Sequence, residues 1–282
     1  MRRKPSHSAS MKRTLTSRPD HTRSAARVAC STIAALALLL PAVGHASEVL
    51  AVTSGGFAEA AKALTSHYNQ ANPAAPVTLT FGPSMGKTDN AIPARLGRQE
   101  PIDVVIMVGG ALDQLMDSGK LEPGSKVVLA NSRIACAVPA GKPRPDLRTV
   151  ASVRQAFLDA PSIAWSDSAS GEYIQGEMLA RLGIETEVKK KGKQIPATPV
   201  GEILAKGDAA FGCQQHSELQ PVHGIDIVAE LPDELQRITP YAAAIVKGSK
   251  HRAAASAFIE YLAAPSNGKV IKATGLTPLA DK

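Results

Sequence analysis

The 282 residues carry 32 Lys and Arg against 25 Asp and Glu, a formal charge of +7, with 44% hydrophobic and only 4% aromatic side chains. Eight of those basic residues and a single acid, Asp20, fall within residues 1–46, leaving 24 of each sign in the remainder. A near-neutral body has no electrostatic footprint for nucleic acid or an anionic membrane, and an aliphatic, aromatic-poor chain suits layered α/β packing more than a β-sandwich.

At the start of the chain, Arg23 and Arg27 lead into the apolar segment from Val28 to Val43 and then into Gly44-His45-Ala46-Ser47. Basic, apolar and small residues in that order read as a secretory signal cleaved near Ala46. The apolar run falls short of the ~20 residues a membrane span needs. Met11, followed by Lys12 and Arg13, offers a second start. The expected location is the periplasm. Cys30 leaves with the leader, and Cys136 and Cys213 sit in apolar stretches that read as separate strands. Two buried free thiols are the ordinary expectation there, although an oxidising compartment permits a disulfide. No metal-site spacing occurs among the cysteines; no metal and no cofactor are expected.

Beyond the leader, short apolar runs alternate with helix-length segments, a pattern of parallel strands covered by helices. The first strand is Val49 to Val52, and the turn Thr53-Ser54-Gly55-Gly56 opens a helix with Phe57, Ala60, Ala61, Leu64 and Tyr68 at helical spacing. Further strands are expected at 77–81 and 103–107, with helices at 91–96 and 111–118. The middle restarts with a strand at 132–138, and Pro139, Pro143 and Pro145 mark a crossing between lobes. A helix at 150–158, a strand at 162–165, a polar loop at 166–171 and a helix at 173–182 follow. A helix at 203–206 and a strand at 209–213 then lead into a loop at 214–220. The last elements are a strand at 242–246 and helices at 250–263 and 267–273. This order predicts a two-lobed α/β protein, each lobe a mostly parallel sheet flanked by helices, with residues 47–130 plus 237–282 in lobe one and 131–236 in lobe two.

Three motifs invite chemistry. Gly82-Pro83-Ser84-Met85-Gly86 matches the G-x-S-x-G of a serine-hydrolase elbow, for which Asp208 with His216 or His251 would complete a triad; Pro83 fixes φ just before the nucleophile and argues against it. Gly82 to Thr88 approaches a P-loop, but its first glycine is one residue too close. What both share is a glycine- and hydroxyl-rich strand-to-helix turn that offers backbone N–H groups to an anion. The same chemistry recurs at Ser54-Gly55-Gly56 and at Ser166-Asp167-Ser168-Ala169-Ser170-Gly171. Three such turns, two in lobe one and one in lobe two, converge on one cleft if the strand ends face each other. Each turn taken alone is equally a helix cap.

Val52-Thr53-Ser54-Gly55-Gly56-Phe57, the loop around Ser84, Ile102-Asp103-Val104-Val105-Ile106, Val246-Lys247-Gly248-Ser249 and Ala263-Ala264-Pro265-Ser266 together resemble the type II periplasmic binding proteins, within them the family that includes the molybdate-binding proteins. The resemblance implies a hinged cleft that closes on a small anion, a monomer, and an ABC permease as partner. Molybdate binders hold the oxyanion with two serines, matched by Ser54 and Ser84, and a tyrosine, whose place in Gly212-Cys213-Gln214-Gln215-His216-Ser217 is taken by Gln215. Amides, hydroxyls and Lys87 suit a di- or tricarboxylate better. The ligand-binding set is then Ser54, Gly55, Ser84, Met85, Lys87, Ser168, Ser170, Gln214 and Gln215. A divergent branch that the chain also resembles, the aconitate isomerases, implies an allylic proton shift in the same cleft, with Lys87 or His216 moving the proton. Receptor for import of a small organic anion, isomerase and molybdate binder all stand at this stage.

Overall fold

A computed structural model describes residues 48–279 apart from 87 and 197; the expected secretory signal lies outside the described residues. The first part of the chain runs β1 (Val49–Thr53), α1 (Gly55–Ala71), β2 (Val77–Phe81), α2 (Ile92–Gly97), β3 (Val104–Val108), α3 (Gly109–Asp117) and β4 (Val127–Ser132). One residue, Arg133, separates β4 from β5 (Ile134–Pro139), which begins a second sheet. Then come α4 (Val150–Asp159), β6 (Ile163–Ser166) and α5 (Ala169–Tyr173), which continues through a π turn (Ile174–Met178) into α6 (Leu179–Arg181). They are followed by α7 (Glu185–Lys189), β7 (Gly192–Ile195), α8 (Val200–Ala205), β8 (Phe211–Gln215), α9 (His216–Leu219) and β9 (Ile225–Glu230). The chain returns through β10 (Thr239–Ile245), α10 (Arg252–Leu262), α11 (Gly268–Ala273) and β11 (Leu276–Pro278).

These strands build a six-stranded sheet, β11-β4-β10-β3-β1-β2, and a five-stranded sheet, β7-β6-β8-β5-β9. The two-lobed α/β architecture follows, but each sheet is mixed rather than mostly parallel. Helical crossovers make β2, β1 and β3 parallel, whereas β10 re-enters from the other lobe and runs antiparallel to both β3 and β4. In the second sheet, β7, β6 and β8 are parallel, and β5 is antiparallel to β8 and β9. The crossing lies at Arg133, so the Pro-rich stretch 139–145 is a loop within lobe two.

Helical and strand periodicities account for the cores. Phe57, Ala60, Ala61, Leu64 and Tyr68 of α1 are all buried against β1 and β3 in the lobe-one core. On β5 the alternation of a strand splits the side chains: Ile134, Cys136 and Val138 enter one core of lobe two, and Ala135 and Ala137 enter the core on the sheet's other face. Cys136 lies directly opposite Cys213 of β8, Cα to Cα 4.0 Å, and the two form a disulfide. The expected free thiols are thereby corrected: the two strands are neighbours, and their register places the cysteines as a cross-strand pair.

Gln236, in the segment that returns to lobe one, accepts a hydrogen bond from Ile134 N at 2.7 Å and donates from Nε2 to Ile134 O at 3.1 Å. Its amide thus clasps the outgoing crossing to the returning one.

Candidate functional site

Parallel strands present their C-terminal ends on one edge of a sheet, and the site is built from those ends. In lobe one, Ser54 follows β1, Ser84 follows β2, and β3 ends beside both. Ser54 N donates to Ile106 O at 2.9 Å, and Ser84 Oγ accepts from Val108 N at 3.0 Å, so both turns are pinned to the end of β3. In lobe two, Ser166 to Ser170 follow β6, while Gln214 and Gln215 form the end of β8, not the loop expected from the sequence. Amides at a strand end look like loop residues, yet both are buried.

The lobes meet over these ends. Helix α9 packs against α1. At Gly55 a Cβ would fall 2.5 Å from Glu218 Oε1, which a side chain could enter only by moving that carboxylate, and at Gly56 one would fall 1.9 Å from the Tyr241 hydroxyl, where only glycine leaves room. Next to them, a Cβ on Gly86 of the Ser84 turn would lie 3.6 Å from Asp167 Oδ2, and Ala169 packs against the lobe-one core. Met85 is partly buried on that same core.

Several of the expected ligand contacts are engaged with the protein itself. Ser166 Oγ shares hydrogen bonds with Ser168 Oγ at 2.7 Å and Ser170 Oγ at 3.3 Å. Gln214 accepts from Val200 N at 2.7 Å through Oε1, and its side chain also hydrogen-bonds the Glu218 carboxyl. Gln215 Nε2 donates to Thr239 Oγ1 at 3.0 Å. His216 Nδ1 is paired with Glu230 Oε1 at 2.8 Å, a carboxylate that also holds Arg133. Lys87 lies outside the described residues. No triad forms around Ser84: Asp208 is exposed, His216 is held by Glu230, and His251 lies 3.4 Å from Asp103.

What remains unsatisfied is informative, because a buried polar atom without a partner costs about 1 to 3 kcal/mol. Five described side-chain atoms are buried without a hydrogen-bond partner: Thr65 Oγ1 and Thr88 Oγ1, and, where the lobes meet, Ser54 Oγ from lobe one and Gln215 Oε1 and Glu218 Oε2 from lobe two. Glu218 was not singled out in the sequence; an acid in a short polar turn reads as a solvated residue. Burial pushes its carboxyl up to about 7 and the Asp167 charge adds to the rise, against the opposing Gln214 hydrogen bond. Tyr241 is pushed well above the usual phenol range by burial and by Glu218. Among the described residues no cluster of three or more His, Cys, Asp or Glu side chains could hold a metal ion, and no helix is long and apolar enough to cross a membrane.

Comparison with known proteins extends this geometry. The chain is 42% identical over 228 residues to an aconitate isomerase from a Pseudomonas species, an alignment spanning 81% of this chain and 87% of that protein. The periplasmic molybdate-binding protein of Azotobacter vinelandii superposes with a TM-score of 0.65 at 20% identity, covering 81% of this chain and 98% of that one. The sulfate-binding protein SubI of Mycobacterium tuberculosis superposes with a TM-score of 0.64 at 16% identity, covering 83% and 88% respectively. At those identities the two structures speak for the fold, a type II periplasmic binding fold. Residues 49–277 match the description "bacterial extracellular solute-binding protein", and the chain belongs to that family.

Proposed function

We propose that this protein is a cofactor-independent isomerase of aconitate, working in the periplasm after removal of its leader near Ala46, in a cleft that closes on the tricarboxylate. The observation that carries the reading is the set of three buried, unpartnered polar atoms, Ser54 Oγ, Gln215 Oε1 and Glu218 Oε2, drawn from both lobes. A hydroxyl donor suits a carboxylate, and the 17-residue helix α1 adds its N-terminus beside it. The carboxyl supplies an ionisable group that a receptor for a polyanion has no need of. Its 42% identity to an aconitate isomerase supports the same substrate.

Closure is a rotation of the lobe beginning at Ile134 and ending before Gln236 against the lobe that holds β1–β4, β10 and β11, about the crossings at Arg133 and Gln236. It shuts Gly55 against Glu218 and the Ser84 turn against Asp167, which removes water from the ligand. In the chemistry itself, a proton leaves the methylene carbon and one returns to the former vinylic carbon. The double bond shifts by one position, and its new geometry follows the conformation in which the methylene arm is held. Composition and charge are unchanged, so the overall step draws on no oxidant or co-reactant.

The test is incubation of the mature protein with cis-aconitate, with the trans isomer followed by chromatography and thermal-shift samples containing citrate or molybdate run in parallel. Formation of the trans isomer in proportion to protein is the expected result. Stabilisation by one of these anions without turnover refutes it and leaves a receptor of an ABC importer, its ligand class given by the anion.

A further inference from the structure

We infer that the Glu218 carboxyl is the group that takes the proton from the substrate and returns it; the inference rests on the isomerase reading above. The placement argues for it first. Glu218 stands on α9 of lobe two, yet its Oε1 reaches the space left by Gly55 at the N-terminus of α1 in lobe one, where Ser54 Oγ waits unpartnered. Its Oε2 is buried and makes no hydrogen bond. The amide of Gln214, itself fixed by Val200 N, steadies the carboxyl through a hydrogen bond. An acid oriented this way and left with one free oxygen is suited to an atom that is not part of the protein.

Chemistry argues for it next. A general base works best when its own acidity lies near the working pH, and burial holds this carboxyl close to neutrality. The charged and titratable groups facing it are Asp167, on the loop after β6, and Tyr241, on β10. His216, also nominated from the sequence, is occupied by Glu230.

In the step, the Glu218 carboxylate accepts the methylene proton. The electron pair of the broken C–H bond spreads over the three-carbon unit and its two terminal carboxylates. The carboxylic acid then delivers a proton to the opposite terminal carbon, regenerating the carboxylate; where it exchanges with solvent before delivery, deuterium from D2O enters the substrate carbons. One base suffices, since both carbons present the same face of a planar allylic anion.

The experiment compares wild type, Glu218→Gln and Glu218→Asp with cis-aconitate. It measures kcat and KM, the pH profile of kcat/KM, calorimetric binding, and exchange of the methylene protons for deuterium in D2O by NMR. Glu218→Gln is expected to lose about a thousandfold in kcat together with the deuterium exchange, while still binding cis-aconitate. Glu218→Asp, which keeps the carboxyl, is expected to recover part of both. Turnover by Glu218→Gln within tenfold of wild type, or exchange that survives in it, overturns the assignment and leaves the isomerase standing. A wild type that forms no trans isomer overturns both together. Should Glu218→Gln fail to fold, the wild-type profile decides: a basic limb near neutrality that shifts in Glu218→Asp supports the assignment, and a limb that does not move overturns it.

Discussion

Replacing Glu218 by glutamine should remove a pH dependence of folding that the buried acid creates. The carboxyl is raised from 4.5 to about 7 in the folded protein, with burial the leading cause. Between those two values the folded state holds a proton that the unfolded state has released. Stability therefore falls as pH rises through this window and levels off above about 7. For this part-exposed group, the change from 4.5 to about 7 corresponds to at most about 3 kcal/mol. Glutamine fills the same volume and never ionises. The variant should match wild type within about 1 kcal/mol near pH 5 and exceed it by at most about 3 kcal/mol at pH 8. Urea denaturation of the two proteins side by side at both values gives the difference, in which every other titrating group cancels. A difference that stays constant within about 0.5 kcal/mol from pH 5 to pH 8 refutes the argument that this carboxyl is buried and neutralised.

Removing the disulfide with Cys136→Ser and Cys213→Ser opens a closure spanning 77 residues; chain entropy alone assigns it about 4.5 kcal/mol, and a loss of about 2 to 4 kcal/mol is expected in thermal or chemical unfolding. Gly56→Ala drives a Cβ to 1.9 Å from the hydroxyl of a buried tyrosine and should cost about 1 to 3 kcal/mol. Gly55→Ala meets only the end of the flexible Glu218 chain at 2.5 Å, so calorimetry should show weakened binding of cis-aconitate with little change in melting temperature. Ser84→Ala removes the acceptor of Val108 N and should cost about 1 to 3 kcal/mol in urea unfolding for the stranded N–H.

Much of the fold can be read from the chain wherever the periodicity is strong. The five apolar positions of α1 named from their spacing, all buried, and the uninterrupted apolar run of β3 identify themselves, and Val77 to Phe81 is a strand in both sequence and structure. Strand β4 escaped because Val127 to Ser132 runs into Ile134 to Pro139 with only Arg133 between, so one strand seemed to start where two meet. Strand β9 is half-buried along its whole length and carries Asp226 among aliphatics, which blurs the alternation. The positions of the serine and glycine turns, each between a strand end and a helix, were legible from the chain, although such residues cap helices as often as they meet ligands. Glu218 was not. It is 163 residues from Gly55 in sequence, and what sets its chemistry is burial created by the meeting of two lobes. The cysteine pair was hidden for a similar reason, since only strand order and register make β5 and β8 neighbours.

The Gln236 clasp has a mechanical side. Two separate strands joining two bodies would each twist on their own and let one lobe slide as well as turn. With one amide holding both the N–H and the carbonyl of Ile134, the two strands are tied at that point and would twist together. Sideways shear is then stiff while rotation stays soft, which limits the lobes to one path of approach. In the closure proposed above, such a tie would bring residues more than a hundred positions apart in the chain together in the same alignment each time.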